Sequence, residues 1–103
     1  METEEIAFNL ILHSGNARSN VMDSLKCARN YNFNEAKELL KEADNELEKA
    51  HKIQTEVLQK EASGENAEPS LLFIHAQDHL MTAMLARDLS NEIINLREDQ
   101  KNH

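Results

Sequence analysis

Residues 71–85 read "LLFIHAQDHLMTAML", the most apolar stretch of a strongly charged chain. Three titratable side chains interrupt it: His75, Asp78 and His79. Ile74, Asp78, Met81, Leu85, Leu89, Ile93 and Leu96 recur at steps of three and four, which is one face of a helix. Leu72, Phe73, Leu80 and Met84 lie off that stripe. A helix that is apolar over more than one face needs partners on more than one side. The pattern predicts a helix over residues 69–98, opened by Pro69, a residue well suited to the first helical position.

Working outward, only two places break the chain: "NYNFNE" at 30–35 and "SGENAEPS" at 63–70, both of turn-rich composition. They leave two further segments, 3–30 and 34–62. The first carries Ala7, Leu10, Ser14, Ala17, Val21, Leu25 and Ala28 at helical spacing. Thr3 is its expected N-cap, and Glu4 and Glu5 face the positive end of the helix dipole. The second repeats Ala36, Leu40, Ala43, Leu47, Ala50 and Val57, with Asn34 as expected cap and Ser63-Gly64 as stop. Short connections make sequential helices antiparallel. The expected fold is all-α: one domain over residues 1–103, an up-down-up bundle of three helices.

Such a rod has much surface and little interior. Gly15 stands inside the first helix, where it costs about 1 kcal/mol against Ala unless another backbone comes close. Together with the surplus apolar face of the third helix, this predicts self-association.

Composition narrows the function classes. The chain has 103 residues with two Gly, one Pro, three Phe, one Tyr and no Trp, so helix formers dominate. No apolar run is long enough to span a membrane. The start, "METEEI", is acidic, so a secretory signal is not expected. The lone Cys27 has no internal partner, which fits a cytoplasmic location. A net charge of −8 argues against nucleic acid and against anionic membrane surfaces. No Gly-rich phosphate loop is present, so nucleotide hydrolysis is not expected.

The candidate site lies on the third helix. At 100° per residue, Asp78 falls about 60° to one side of His75, His79 about 40° to the other, and Thr82 between them. Asp78 also falls on the apolar stripe, where a carboxylate is costly unless paired or bound to a cation. Several readings stand side by side. His75 could be a structural histidine. Asp78 could pair with an Arg or Lys. His75 and His79, spaced i,i+4, could chelate zinc, although no HExxH motif supports it. His13 and His51 lie within the other helices, His103 ends the chain, and Cys27 reads as a small buried hydrophobe.

Three stretches together resemble a known family along nearly the whole chain. They are "SGNARS" (14–19), "FNEAKELLKEADNELEKAHKIQTEVLQKEASGE" (33–65) and "LLFIHAQDHLMTAML" (71–85). The family is the enzyme IIA component of the lactose/cellobiose group, N,N'-diacetylchitobiose included, of the bacterial phosphoenolpyruvate-dependent sugar phosphotransferase system. The resemblance implies a homotrimer of nine helices that carries a phosphoryl group. His75 matches the phosphorylated residue, with the tele nitrogen expected as acceptor. It would take phosphate from phospho-HPr and pass it to a cysteine of the cognate enzyme IIB, which works with the membrane enzyme IIC that selects the sugar. Asp78 matches the metal position, three copies meeting around one structural Mg²⁺ per trimer. His79 matches a histidine of the phosphoryl pocket. Gln77, far round the helix from His75, would reach only a site shared with another subunit.

The chemistry is consistent with this. A neutral imidazole nitrogen is a good phosphoryl acceptor, and an imidazole of ordinary pKa, about 6.5, is partly neutral in cytoplasm. Like carboxylates at one axis repel, and a hard cation with oxygen ligands offsets this. A different class of function stays open to the residues alone: a non-enzymatic helical adaptor whose histidines are incidental.

Overall fold

The computed structural model describes residues 3–65 and 70–102, with side chains from residue 4. The expected roles of the Thr3 side chain, Pro69 and His103 fall outside them. Three helices make up the described chain: α1 (Thr3–Arg29), α2 (Phe33–Ala62) and α3 (Leu71–Lys101). There are no strands among the described residues, and the bundle measures 56 × 20 × 19 Å.

Each helix buries a seam at 3-4 spacing in which small residues are interspersed with larger ones. In α1 the seam is Ala7, Leu10, Ser14, Ala17, Val21, Ser24 and Ala28. In α2 it is Phe33, Ala36, Leu40, Ala43, Leu47, Ala50 and Gln54. This 3-4 spacing is that of left-handed coiled-coil packing, and Ala or Ser in alternate layers lets the backbones approach closely. Two expected seam residues, Leu25 and Val57, are only half-buried; Ser24 and Gln54 occupy the buried positions instead. Ser24 is accommodated because its hydroxyl donates to the Val21 carbonyl at 2.6 Å.

The α1–α2 corner corrects the expected Asn34 cap. Asn34 lies within α2, and Asn32 takes the cap position without a side-chain bond. The end of α1 decides this. Tyr31 adopts a left-handed conformation (φ +64°), and the Asn32 N–H returns to the Cys27 carbonyl at 2.8 Å. That closure aims Phe33 into the core as the first helical residue. At the other end of α2, the expected stop is found: Ser63 is the C-cap, and Gly64 supplies φ +86°. The α3 N-terminus is capped by Ser70, whose Oγ accepts from the Phe73 N–H at 3.0 Å.

The largest correction concerns α3. Its core-facing residues are Ala76, Leu80, Ala83, Ser90 and Ile94. The predicted stripe of Ile74, Asp78, Met81, Leu85, Leu89, Ile93 and Leu96 is exposed throughout, with Leu85 at 59% and Leu89 at 54%. The two faces lie on nearly opposite sides of the helix. The small inner residues win the bundle because they let α3 close on α1, whereas the larger outer ones would hold it away. On α1, Phe8, Leu12 and Met22 are likewise exposed, and a Cβ at Gly15 would meet nothing within 4 Å. The close backbone expected at Gly15 is therefore not supplied by the described residues.

Polar clasps fix how α3 sits. Arg87 grips Asp44 of α2 with two bonds, Nε to Oδ1 at 2.5 Å and Nη2 to Oδ2 at 2.8 Å. Those bonds hold the Arg87 guanidinium above its ordinary pKa. Near the far end, Arg97 donates to the Arg29 carbonyl at 3.0 Å and lies 4.1 Å from the Tyr31 ring centre.

Candidate functional site

His75 sits one turn into α3 and is exposed; His79, one turn further, is partly buried. Their rings meet edge to face, with centroids 4.6 Å apart and planes at 85°. The contact joins the two outer nitrogens, Nε2 to Nε2, at 3.1 Å. One of them donates a proton and the other offers its lone pair. With the proton on His79, His75 presents a neutral, nucleophilic Nε2 with a donor already beside it. Thr82, on the same flank, turns its hydroxyl inward to the Asp78 and His79 carbonyls, at 2.9 and 3.2 Å. Its oxygen thereby ties the turn that carries both residues.

Asp78 stands on the exposed stripe between Ile74 and Met81. It forms no ion pair among the described residues, so the salt-bridge alternative finds no partner there. No group of three or more His, Cys, Asp or Glu gathers among the described residues of a single chain. A metal shared at Asp78 would draw further carboxylates from other copies. Three aspartates would give the oxygen-rich, anionic donor set that a hard divalent cation prefers. An isolated carboxylate in the middle of an outward apolar stripe fits that arrangement. His75 and His79 bring no third ligand of a zinc site with them.

Gln77 lies on the opposite flank of α3, beside α2, where its Oε1 accepts from Gln54 Nε2 at 2.8 Å. His51 is placed on that side too. It lines a groove between α2 and α3 with Leu47, Glu48, Met84 and Asp88, above the Arg87–Asp44 clasp. His13 belongs to a different seam: its Nδ1 is 2.6 Å from Glu46 Oε2, between α1 and α2. That bond, then the charge of Lys49, holds the Glu46 carboxyl below its ordinary pKa against partial burial. Cys27 is half-buried rather than buried. Desolvation, with Glu35 and Asp23 nearby, pushes its thiol up, which disfavours a nucleophilic thiolate.

The i,i+4 histidine pair was legible in the sequence, but the Gln54–Gln77 bond was not. The signal for it was a polar residue in a heptad slot: Gln54 follows Phe33, Leu40 and Leu47 at intervals of seven.

Comparison with known proteins shows the family. Residues 5–98 match the profile described as "PTS system, Lactose/Cellobiose specific IIA subunit". The chain is 50% identical over 97 residues to the lichenan-specific phosphotransferase enzyme IIA component of Bacillus subtilis, covering 94% of this chain and 88% of that one. Its fold matches the crystal structure of the cellobiose-specific enzyme IIA from Bacillus anthracis at TM-score 0.93 and 45% identity, over 99% of this chain and 94% of the other. It also matches an Escherichia coli IIA(chitobiose) chain solved in complex with HPr, at TM-score 0.85 and 40% identity over 98% of each chain. The matched span covers α2, nearly all of α1 and α3, and both residues of the Nε2 pair, and the chain belongs to the lactose/cellobiose-specific IIA subunit family of the sugar phosphotransferase system.

Proposed function

We propose that the chain carries a phosphoryl group on His75, taken from phospho-HPr and handed to a cysteine of a cognate enzyme IIB. IIB in turn serves a membrane enzyme IIC that imports a β-linked disaccharide of the cellobiose, lactose or chitobiose type. The single observation that carries this reading is the outward-facing Nε2–Nε2 pair of His75 and His79. In the transfer, the His75 Nε2 lone pair forms the bond to phosphorus. The bond from phosphorus to the donor breaks, and its electron pair stays on the donor. Transfer onward to the IIB cysteine runs the same exchange with His75 as the leaving group. His79 Nε2–H then donates to a phosphoryl oxygen in place of the lone pair it faced. Catalysis of this kind rests on positioning and on donors around the equatorial oxygens. The HPr complex formed by the E. coli relative supports HPr as the donor.

The working form is a homotrimer in the bacterial cytoplasm. The exposed α3 stripe supports it: Ile74, Met81, Leu85, Leu89, Ile93 and Leu96 form a face too apolar to leave in water. With that stripe on a threefold axis, three Asp78 carboxylates converge and would hold one Mg²⁺. The ion would neutralise their repulsion and fix the register; it takes no part in the transfer. No helix among the described residues is long and apolar enough to cross a membrane. The charge of −8 disfavours nucleic acid as a partner.

The same geometry gives each site a second subunit. His75 and Gln77 lie about 160° apart around α3, on opposite flanks of the stripe. About a threefold axis, one flank of each α3 meets the other flank of the next. The His75 flank of one subunit thus faces the Gln77 flank of its neighbour.

Incubation with phosphoenolpyruvate, enzyme I and HPr tests the function. The chain should acquire one phosphate that is labile in acid and stable in base, as a phosphohistidine is. Failure to acquire phosphate, or an acid-stable product, would overturn the reading.

A further inference from the structure

Gln54 takes no part in the proposed transfer from HPr to His75, yet it fills a buried slot of α2 whose heptad equivalents are Phe33, Leu40 and Leu47. An amide in such a slot gives up apolar packing and needs its polar atoms bonded. The partner it has is Gln77: Gln54 Nε2 donates to Gln77 Oε1 at 2.8 Å, from α2 to α3.

The polarity of that bond matters. A glutamine amide has an acceptor end and a donor end, and its terminal torsion is soft and roughly two-fold. Gln54 occupies the acceptor end of Gln77. The two N–H bonds of Gln77 Nε2 are left without a partner among the described residues. A phosphoryl group offers only acceptors, so a useful amide beside it must present N–H and not C=O. Free rotation of Gln77 would present the wrong end part of the time.

We infer that Gln54 is a positioning residue for phosphoryl transfer: by holding Gln77 Oε1, it turns the Gln77 amide protons toward the phosphoryl group on the partner subunit's His75. The inference rests on the His75 and homotrimer readings above. Gln54 and Gln77 exchange no atoms in the step; His75 Nε2 bonds to phosphorus while the donor leaves with its electron pair. Charge on the equatorial oxygens is what the aligned amide meets. The alignment therefore acts on the transfer itself and leaves HPr binding unchanged.

Rapid-quench phosphorylation of the full-length chain by phospho-HPr tests this. A directly lost donor commonly costs about 10²–10³ in rate. Gln54→Leu leaves the Gln77 donor in place but unaligned, so kcat should fall by less, about 10-fold, with KM for phospho-HPr unchanged. Leu suits a slot whose heptad equivalents include Leu40 and Leu47; Gln54→Met is the second variant and should give the same kcat. Gln54→Glu should be slower than either, because its carboxylate accepts from Gln77 Nε2 and turns the carbonyl outward. In a Gln77→Leu background, Gln54→Leu should add no further loss.

Mixed trimers give the decisive arm. His75→Ala chains take no phosphate themselves but bring an intact Gln54–Gln77 pair. Mixed with Gln54→Leu chains, they should restore the wild-type rate at a fraction of the remaining His75 sites. Wild-type kcat in both Gln54→Leu and Gln54→Met would overturn the inference. So would additive losses with Gln77→Leu, or mixed trimers without recovery. A wild-type chain that takes no phosphate on His75 would instead overturn the underlying function.

Discussion

The two faces of α3 are both largely apolar, but the inner one is richer in small side chains and the outer one in large ones. The inner face is Ala76, Leu80, Ala83, Ser90 and Ile94, with Ala76 and Leu80 at 0% exposure. The outer face is Ile74, Met81, Leu85, Leu89, Ile93 and Leu96, none of it buried. Small residues fit where two backbones must close, and that need fixes the fold of one chain. Large residues are left exposed, which is the basis of the proposed contact between copies. The candidate groups stand at the borders between the faces: His75 and His79 on one flank, Gln77 on the other, and Asp78 within the outer stripe. Under the proposed assembly, a site at such a border would be completed by a second copy.

Substitutions can break this contrast. The largest effect is expected on the inner face. Leu80→Asp buries an unpaired carboxylate among Ala and Leu side chains and should abolish the cooperative thermal transition in circular dichroism. A retained transition would mean that the inner face can open to water. Next comes the outer face. Leu85→Asp with Leu89→Asp places charges on the proposed contact while leaving the core untouched. Sedimentation equilibrium at micromolar concentration should move from three times the chain mass to the single-chain mass, with the helical spectrum largely kept. A threefold mass that survives the pair would put the contact elsewhere.

Asp78→Leu sharpens the contrast with a smaller shift. Chelation should lower the melting temperature of the wild type and leave that of Asp78→Leu unchanged. The variant's trimer should be as stable or more stable, since a packed apolar group replaces a costly charge. A chelator effect that persists in Asp78→Leu would place the cation at other residues.

The smallest effect belongs to the His13–Glu46 pair, remote from both faces of α3. The bond holds the Glu46 pKa below its unfolded value. Its stabilisation is therefore present above the ordinary carboxylate pKa, about 4.3, and is lost as pH falls through the lower folded value. Urea midpoints should drop between about pH 5 and pH 3 more steeply for wild type than for Glu46→Gln. With both side chains partly exposed, the difference should stay below about 1 kcal/mol. Parallel curves would mean that the bond contributes nothing.

The helices were legible because glycine and proline are so few that two turn-rich stretches stand out. The α1 and α2 seams were legible because one periodic face dominates each helix. The inner face of α3 was not. Periodicity registers both faces of a doubly apolar helix, and hydrophobicity favours the larger residues, whereas close helix packing selects Ala76, Ala83 and Ser90. The Asn34 cap failed for a local reason: the left-handed Tyr31 and the return bond from Asn32 to Cys27 set where α2 begins. At the site, the neighbourhood of His75 and His79 follows from helical spacing alone. The surplus face predicted association, but the number of copies came only from the family resemblance. Gln54 escaped notice because its importance lies in one hydrogen bond between helices.

The central claim is that His75, on the flank of the outer face, is the residue that takes the phosphoryl group. Mass-spectrometric mapping after incubation with phospho-HPr tests it most directly, on the wild type and on His75→Ala and His79→Ala. The account predicts phosphate on His75 in the wild type. It predicts none on His75→Ala, with helicity and assembly mass unchanged, and phosphate on His75 of His79→Ala at a rate lower by about 10²–10³. Phosphate at His79, His51 or His13 in the His75→Ala protein would contradict it.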